Sequence, residues 1–150
     1  MKVLVVSSKY QPEYSGSGLR AHNTYKRLEA KYGIEWDVLA GSQVHTSSFS
    51  YRYDSKEVNI IASIWSLRPI WLRNQNKYGF VNRIVSGLFF YVSMITECVK
   101  VFLFLSKRKK SYHVVHTFGD SAVVSAAVFW AYGNNLKVVK ELTTIRTHAL

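Results

Sequence analysis

The sequence predicts an α/β fold in which an open parallel sheet carries helices on both faces. Short β-branched apolar runs recur along the chain, helical segments with one apolar face fall between them, and a glycine or a polar cap marks the ends of those helices. Strands that alternate with helices in this way are joined by right-handed crossovers, which makes neighbouring strands parallel. At 150 residues and 48% apolar, the chain suits one compact domain with its own core.

The elements follow in order. Residues 2–6, KVLVV, are a continuous run of the kind buried on both faces of a parallel sheet. From Gly18 to Tyr32 the apolar positions Leu19, Ala21, Tyr25, Leu28 and Tyr32 read as one helical face, and Gly33 supplies the stop. WDVLAGS at 36–42 is the second strand, a polar Ser- and Tyr-rich stretch covers 43–55, and EVNIIASI at 57–64 is the third strand. YHVVHTF at 112–118 is the fourth, residues 120–133 are a helix with Asp120 or Ser121 as N-cap and Gly133 as stop, and LKVVKEL at 136–142 is the fifth. No internal repeat and no low-complexity linker interrupts this order.

Composition narrows the partners. Twenty Lys and Arg against nine Asp and Glu leave a formal charge of +11, which points to phosphates, anionic lipid or nucleic acid. Nucleic acid is set aside because the basic residues gather beside an apolar helix and no reader motif is evident. The single cysteine, Cys98, lies in the most apolar stretch and implies no disulfide framework, only an inert buried thiol. The first apolar run is too short for a secretory signal, so the expected location is cytoplasmic. His113 and His116 stand three apart on a strand, where they face opposite sides, and no other histidine has ligand spacing; no metal is expected.

In such a sheet ligands bind outside the carboxyl ends of the strands, so the loops after Val6, Ser42, Ile64, Phe118 and Leu142 should build the site. The first of these is SSKYQPEYSGSGLR, residues 7–20. Gly16 and Gly18 let backbone amides approach an anion, and the helix that follows directs its positive end at the same place. The letters GSGLRA also fit a dinucleotide fingerprint. However, about nine residues separate the strand from the first glycine, and the second strand ends in Ala40-Gly41-Ser42, with its acid, Asp37, at the wrong end to hold a ribose. An NAD-dependent oxidoreductase is therefore the weaker alternative.

Taken together, KVLVVSS, the long loop KYQPEYSGSGLRAHNTYKRL, VVHTFGDSAVVSA and KVVKEL resemble the amino-terminal domain of a GT-B glycosyltransferase of the family 4 type. The resemblance covers most of the chain, residues 65–110 being the least typical part, and implies a Rossmann-like parallel sheet as the amino-terminal half of a two-domain enzyme. Members move a sugar from a nucleotide-sugar, which is a substrate and not a cofactor, to an acceptor with retention of configuration. The amino-terminal domain binds the acceptor and its glycine loop reaches the donor diphosphate. The carboxyl-terminal domain holds the nucleotide. That second domain is expected to be missing from this chain, which alone is then not expected to turn over. The acceptor is expected to be a lipid-linked or cell-surface glycan, as in polysaccharide biosynthesis.

The resemblance places Gly16, Ser17 and Gly18 on the phosphate-contacting loop, with Arg20 as an added cation. His116 and Asp120 take the catalytic positions, His116 being otherwise a satisfied structural histidine on an apolar strand, and Asp120 accepting hydrogen bonds from acceptor hydroxyls or simply capping the next helix. Relatives often carry His-x-His at the end of strand four; here the second place is Phe118, whose ring can stack on a sugar or lipid but cannot donate a hydrogen bond. Glu141 and Arg146 fall near acceptor contacts.

Residues 65–110 hold nine basic residues from Arg68 to Lys110 and one acid, Glu97, interleaved with aromatics. Residues 84–105 are long and apolar enough to cross a bilayer, and KRKK at 107–110 resembles an anchor. Spanning would put the strands on either side of the helix on opposite sides of the membrane, so the expectation is peripheral attachment to the inner face. Positions 84, 88, 92, 95, 99 and 102 are then expected to pack on the sheet. Phe89, Phe90 and Phe104 would rest among lipid headgroups, and Lys107, Arg108, Lys109 and Lys110 on anionic phosphates. A non-catalytic membrane-surface or lipid-binding module is the alternative function.

Overall fold

The structure, a computed structural model, describes residues 1–13, 15–67, 79–108 and 112–141. Its elements run β1 (Lys2–Ser7), α1 (Gly16–Tyr32), β2 (Glu35–Ser42), β3 (Phe49–Tyr53), β4 (Lys56–Ala62), a 3-10 turn (Ile64–Leu67), α2 (Gly79–Lys107), β5 (Val114–Phe118), α3 (Ala122–Gly133) and β6 (Lys137–Lys140). The strands form one sheet in the order β3-β4-β2-β1-β5-β6. Every pairing is parallel except β3 with β4. The α/β class with a mostly parallel, Rossmann-like sheet is thus the observed architecture.

Alternation along the central strands produces two cores. Val3, Val5, Val38, Ala40 and Phe118 face α1, where Ala21 and Tyr25 cover them. Leu4, Val6, Leu39 and Val115 face the other way, under Val101 and Leu105 of α2 and Val123, Ala127 and Trp130 of α3. A one-residue slip of β1 would exchange these sets, so its register, Val5 opposite Val38 on one side and His116 on the other, is held from both faces.

Strand β3 lies within the polar stretch 43–55 and was not expected. Its Phe49, Tyr51 and Tyr53 alternate with Ser50 and Arg52, and Asp54 and Ser55 turn the chain with φ of 48° and 65°, the left-handed pair that a two-residue hairpin requires. Helix α1 is seated differently from the expected stripe: Gly18, Ala21 and Tyr25 are buried, while Leu19 and Tyr32 are exposed. Gly33, at φ 63°, ends the helix and donates its N–H to the Glu29 carbonyl at 2.8 Å.

Helix α2 reverses the expected orientation. Ile84, Leu88, Val92, Ile95, Val99 and Phe102, expected on the sheet, are all exposed. The inward face is anchored at its carboxyl-terminal third by Val101, Phe104 and Leu105, and further along by polar contacts to the end of β4. There the Ser93 hydroxyl meets that of Ser63 at 2.6 Å, and Lys100 Nζ donates to the Ala62 carbonyl at 2.8 Å. Arg108 pairs with Glu57 at 2.6 Å. These partners, which periodicity cannot reveal, choose the face. In consequence Phe104, partly buried, packs on the core and Phe89 lies half-buried with its ring 6.0 Å from that of Trp65, whereas Phe90 stays exposed.

Candidate functional site

Strands β1 and β5 are neighbours, and the chain leaves them for opposite faces, to α1 and to α3, so a crevice opens between their carboxyl ends. The Ser8 N–H donates to the Phe118 carbonyl at 3.2 Å and ties the two loops together. Gly119 follows at φ 76°, and a Cβ there would stand 3.0 Å from the Ser8 hydroxyl and 3.3 Å from Ser17 Cβ. The position requires glycine both for its conformation and for the close approach of helix α1.

Ser15 caps α1, its hydroxyl accepting from the Gly18 N–H at 3.0 Å. That amide is therefore engaged, and Gly18 serves packing instead: a Cβ would lie 2.6 Å from the Lys9 carbonyl oxygen. Gly16 is exposed, with nothing within 4 Å of an added Cβ. Among the described residues the N–H groups of Gly16 and Ser17 have no acceptor, and the Ser17 hydroxyl lies 3.0 Å from that of Ser8 at the tip of β1. Of the expected phosphate loop, then, the Gly18 amide is spent on the cap, which leaves those of Gly16 and Ser17 in the first turn of α1.

Three other expected residues, Arg20, Glu141 and Asp120, meet with Lys140 in two ion pairs beside this crevice. Arg20 reaches Glu141 at 3.4 Å, and Lys140 reaches Asp120 at 3.3 Å. Glu141 Oε2 is buried without a hydrogen-bond partner among the described residues. Asp120 does not cap α3; the Ser121 hydroxyl does, accepting from the Val124 N–H at 3.2 Å. His116 points under α1, its Nδ1 2.8 Å from the Tyr25 hydroxyl, and desolvation holds its pKa below the usual imidazole value, partly offset by the charge of Glu141. Phe118 is 2% exposed, its ring 4.4 Å from that of His116, and it cannot present a stacking face to an acceptor. Arg146, Lys109 and Lys110 lie outside the described residues. Asp37 is engaged at the far end of the sheet with Lys2 at 2.6 Å and Tyr112 at 3.2 Å.

A cavity of about 300 Å³ opens beyond Asp120. Gln43 enters it from the loop after β2, Ser63 and Trp65 from the segment after β4, Asp120 and Ser121 from the loop after β5, and Phe90, Ser93, Met94 and Glu97 from α2. Glu97 accepts from the Ser93 hydroxyl at 3.3 Å, and the Trp65 ring stands edge-on to that of Phe90 at 5.9 Å. Sequence reasoning missed Gln43, Ser63, Trp65 and Glu97 as site residues. The available signal was Glu97, the one carboxylate in a long, mainly apolar segment. No protein-family model and no curated protein matches the chain. Among the described residues no three His, Cys, Asp or Glu side chains converge as metal ligands.

Two carboxylates, three hydroxyls, an amide and an aromatic pair suit a neutral ligand with several hydroxyl groups. The carboxylates accept its O–H donors and the rings cover its C–H faces. An anion would meet the Glu97 carboxylate here, with Asp120 already paired to Lys140.

Proposed function

We propose that the chain is the acceptor-side domain of a GT-B glycosyltransferase that transfers a sugar from a nucleotide donor to a glycan acceptor. The observation that carries this reading is the polar, aromatic-walled cavity at the carboxyl ends of β2, β4 and β5, one residue from the loop that packs on the start of α1. Its volume, about 300 Å³, is at the small end of ordinary ligand sites and matches a monosaccharide unit.

In this reading Asp120 and Glu97 hold acceptor hydroxyls, and Trp65 and Phe90 fix the plane of the sugar ring. The donor diphosphate lies across the amides of Gly16 and Ser17. As the glycosidic bond breaks, negative charge grows on the departing diphosphate, and preorganised amides at a helix start lower its energy without having to reorient. Arg20, half-exposed and held by Glu141, adds a cation one turn into the helix. Binding of the nucleotide falls to a second domain. Exposed Phe90 and Met94 give the cavity an apolar rim, which favours an acceptor carried on a lipid.

Saturation-transfer NMR with glucose, galactose, N-acetylglucosamine and their methyl glycosides tests the cavity. At least one should bind, and Asp120→Ala or Glu97→Gln should each weaken it by about tenfold, the worth of a hydrogen bond to a charged group. Failure of every saccharide to bind, or binding indifferent to both substitutions, overturns the reading.

A further inference from the structure

Helix α2 carries its charges inside and its hydrocarbon outside. Between Arg83 and Lys107 the charged residues are Glu97 and Lys100, and both turn inward, Glu97 to the cavity and Lys100 to the Ala62 carbonyl. The outward face from Ile84 through Leu88, Val92, Ile95 and Val99 to Phe102 is apolar, and every one of these six side chains is at least 41% exposed. They recur every three or four residues, so they form one straight stripe along a helix of 29 residues, about 43 Å long. A stripe of this length exceeds the apolar patches that monomeric proteins ordinarily leave in water.

We infer that this stripe lies flat in the interface of an anionic lipid bilayer. Crossing is excluded by the fold itself: α2 connects β4 to β5, and both belong to one sheet, so the two ends of the helix must stay on the same side. Charge selects the occupant. The chain carries twenty basic against nine acidic residues, and exposed Arg83 and Lys107 bracket the stripe. A second copy of the chain would bring the same positive excess to the seam, whereas anionic headgroups complement it while acyl chains receive the side chains. The surface is the face that periodicity assigned to the protein interior. The inference rests on this face alone and stands independently of the sugar-transfer reading.

Co-sedimentation of the full chain with vesicles of equal phosphatidylglycerol and phosphatidylcholine, against phosphatidylcholine alone, tests it. The chain should pellet with the anionic vesicles and much less with the neutral ones. The double substitution Leu88→Gln and Ile95→Gln keeps the charge and should weaken binding roughly tenfold or more, because two side chains no longer enter the acyl boundary. Circular dichroism and melting of the double variant should match the parent, both sites being exposed. Absence of vesicle binding at low salt overturns the inference. So does undiminished binding by the double variant, which would mark attachment through charge alone. Sedimentation equilibrium provides a third route: a dimer abolished by the double substitution, in a chain that ignores vesicles, would assign the stripe to self-association instead.

Discussion

Helix α1 is polar by composition yet firmly seated, whereas helix α2 is apolar yet leaves most of its length outside. In α1 three small or aromatic residues, Gly18, Ala21 and Tyr25, bring the backbone close to the sheet. Gly18 admits the Lys9 carbonyl and Tyr25 reaches His116. In α2 the buried residues are Asn82, Ser93, Val101 and Leu105, half of them polar. Seating therefore follows shape and available partners at the strand ends, and average hydrophobicity is a poor guide to it. An apolar surplus on the outside of α2 is a cost that water imposes unless another surface removes it.

The largest expected effect lies on α1. Tyr25→Ala should destabilise the fold by about 3–5 kcal/mol in urea denaturation, since it empties a buried ring site and leaves His116 Nδ1 without its partner. A loss under about 1 kcal/mol would mean that α1 is no better seated than α2. The glycines sharpen the point at smaller scale. Gly18→Ala should cost about 1–3 kcal/mol because its Cβ would press on the Lys9 carbonyl, a backbone atom that can move only with its loop. Gly16→Ala should be within about 0.5 kcal/mol of neutral, having open space around it.

Much of this α/β architecture was legible in the sequence, because β1 is a continuous apolar run and β2, β4 and β5 each carry a short cluster of buried apolar residues between helical segments. Strand β3 was hidden because an edge strand needs only one covered face: its alternating Phe49-Ser50-Tyr51-Arg52-Tyr53 is half polar and resembles a loop. Orientation of α2 was illegible for a different reason. Periodicity identifies a stripe but not what lies beneath it, and the deciding contacts, Ser93 to Ser63 and Lys100 to the Ala62 carbonyl, join residues 30 and 38 positions apart. The candidate site divides in the same way. Asp120 and the glycine loop were visible from strand order, whereas Trp65 and Glu97 join them only once α2 is folded back over β4.

The seated face of α1 should also show in pH dependence. Burial holds the imidazoles of His116 and His22 below their usual pKa, against smaller opposing effects of Glu141 and Asp54. The unfolded chain then takes up protons first as pH falls, so this stability is complete above the unfolded value of about 6.5 and is lost as pH drops through the lower folded-state values. Melting temperature should decline from pH 7 to pH 5, less steeply in His116→Gln. An unchanged slope in that variant would remove His116 from the cause.

The smallest effect is the one on which the contrast between the helices turns. Ile95→Ala and Val99→Ala remove about as much hydrocarbon as core substitutions that cost 2–5 kcal/mol, yet each should change stability in water by less than about 0.5 kcal/mol. Their side chains are 62% and 52% exposed, so truncation deletes little packing and opens no cavity. The same truncations should weaken attachment to anionic vesicles, since hydrocarbon idle in water does its work only once a bilayer receives it. A loss of 2 kcal/mol or more in plain buffer would mean that the stripe is already covered within the protein, and α2 would then be an ordinary core helix with no surplus to explain.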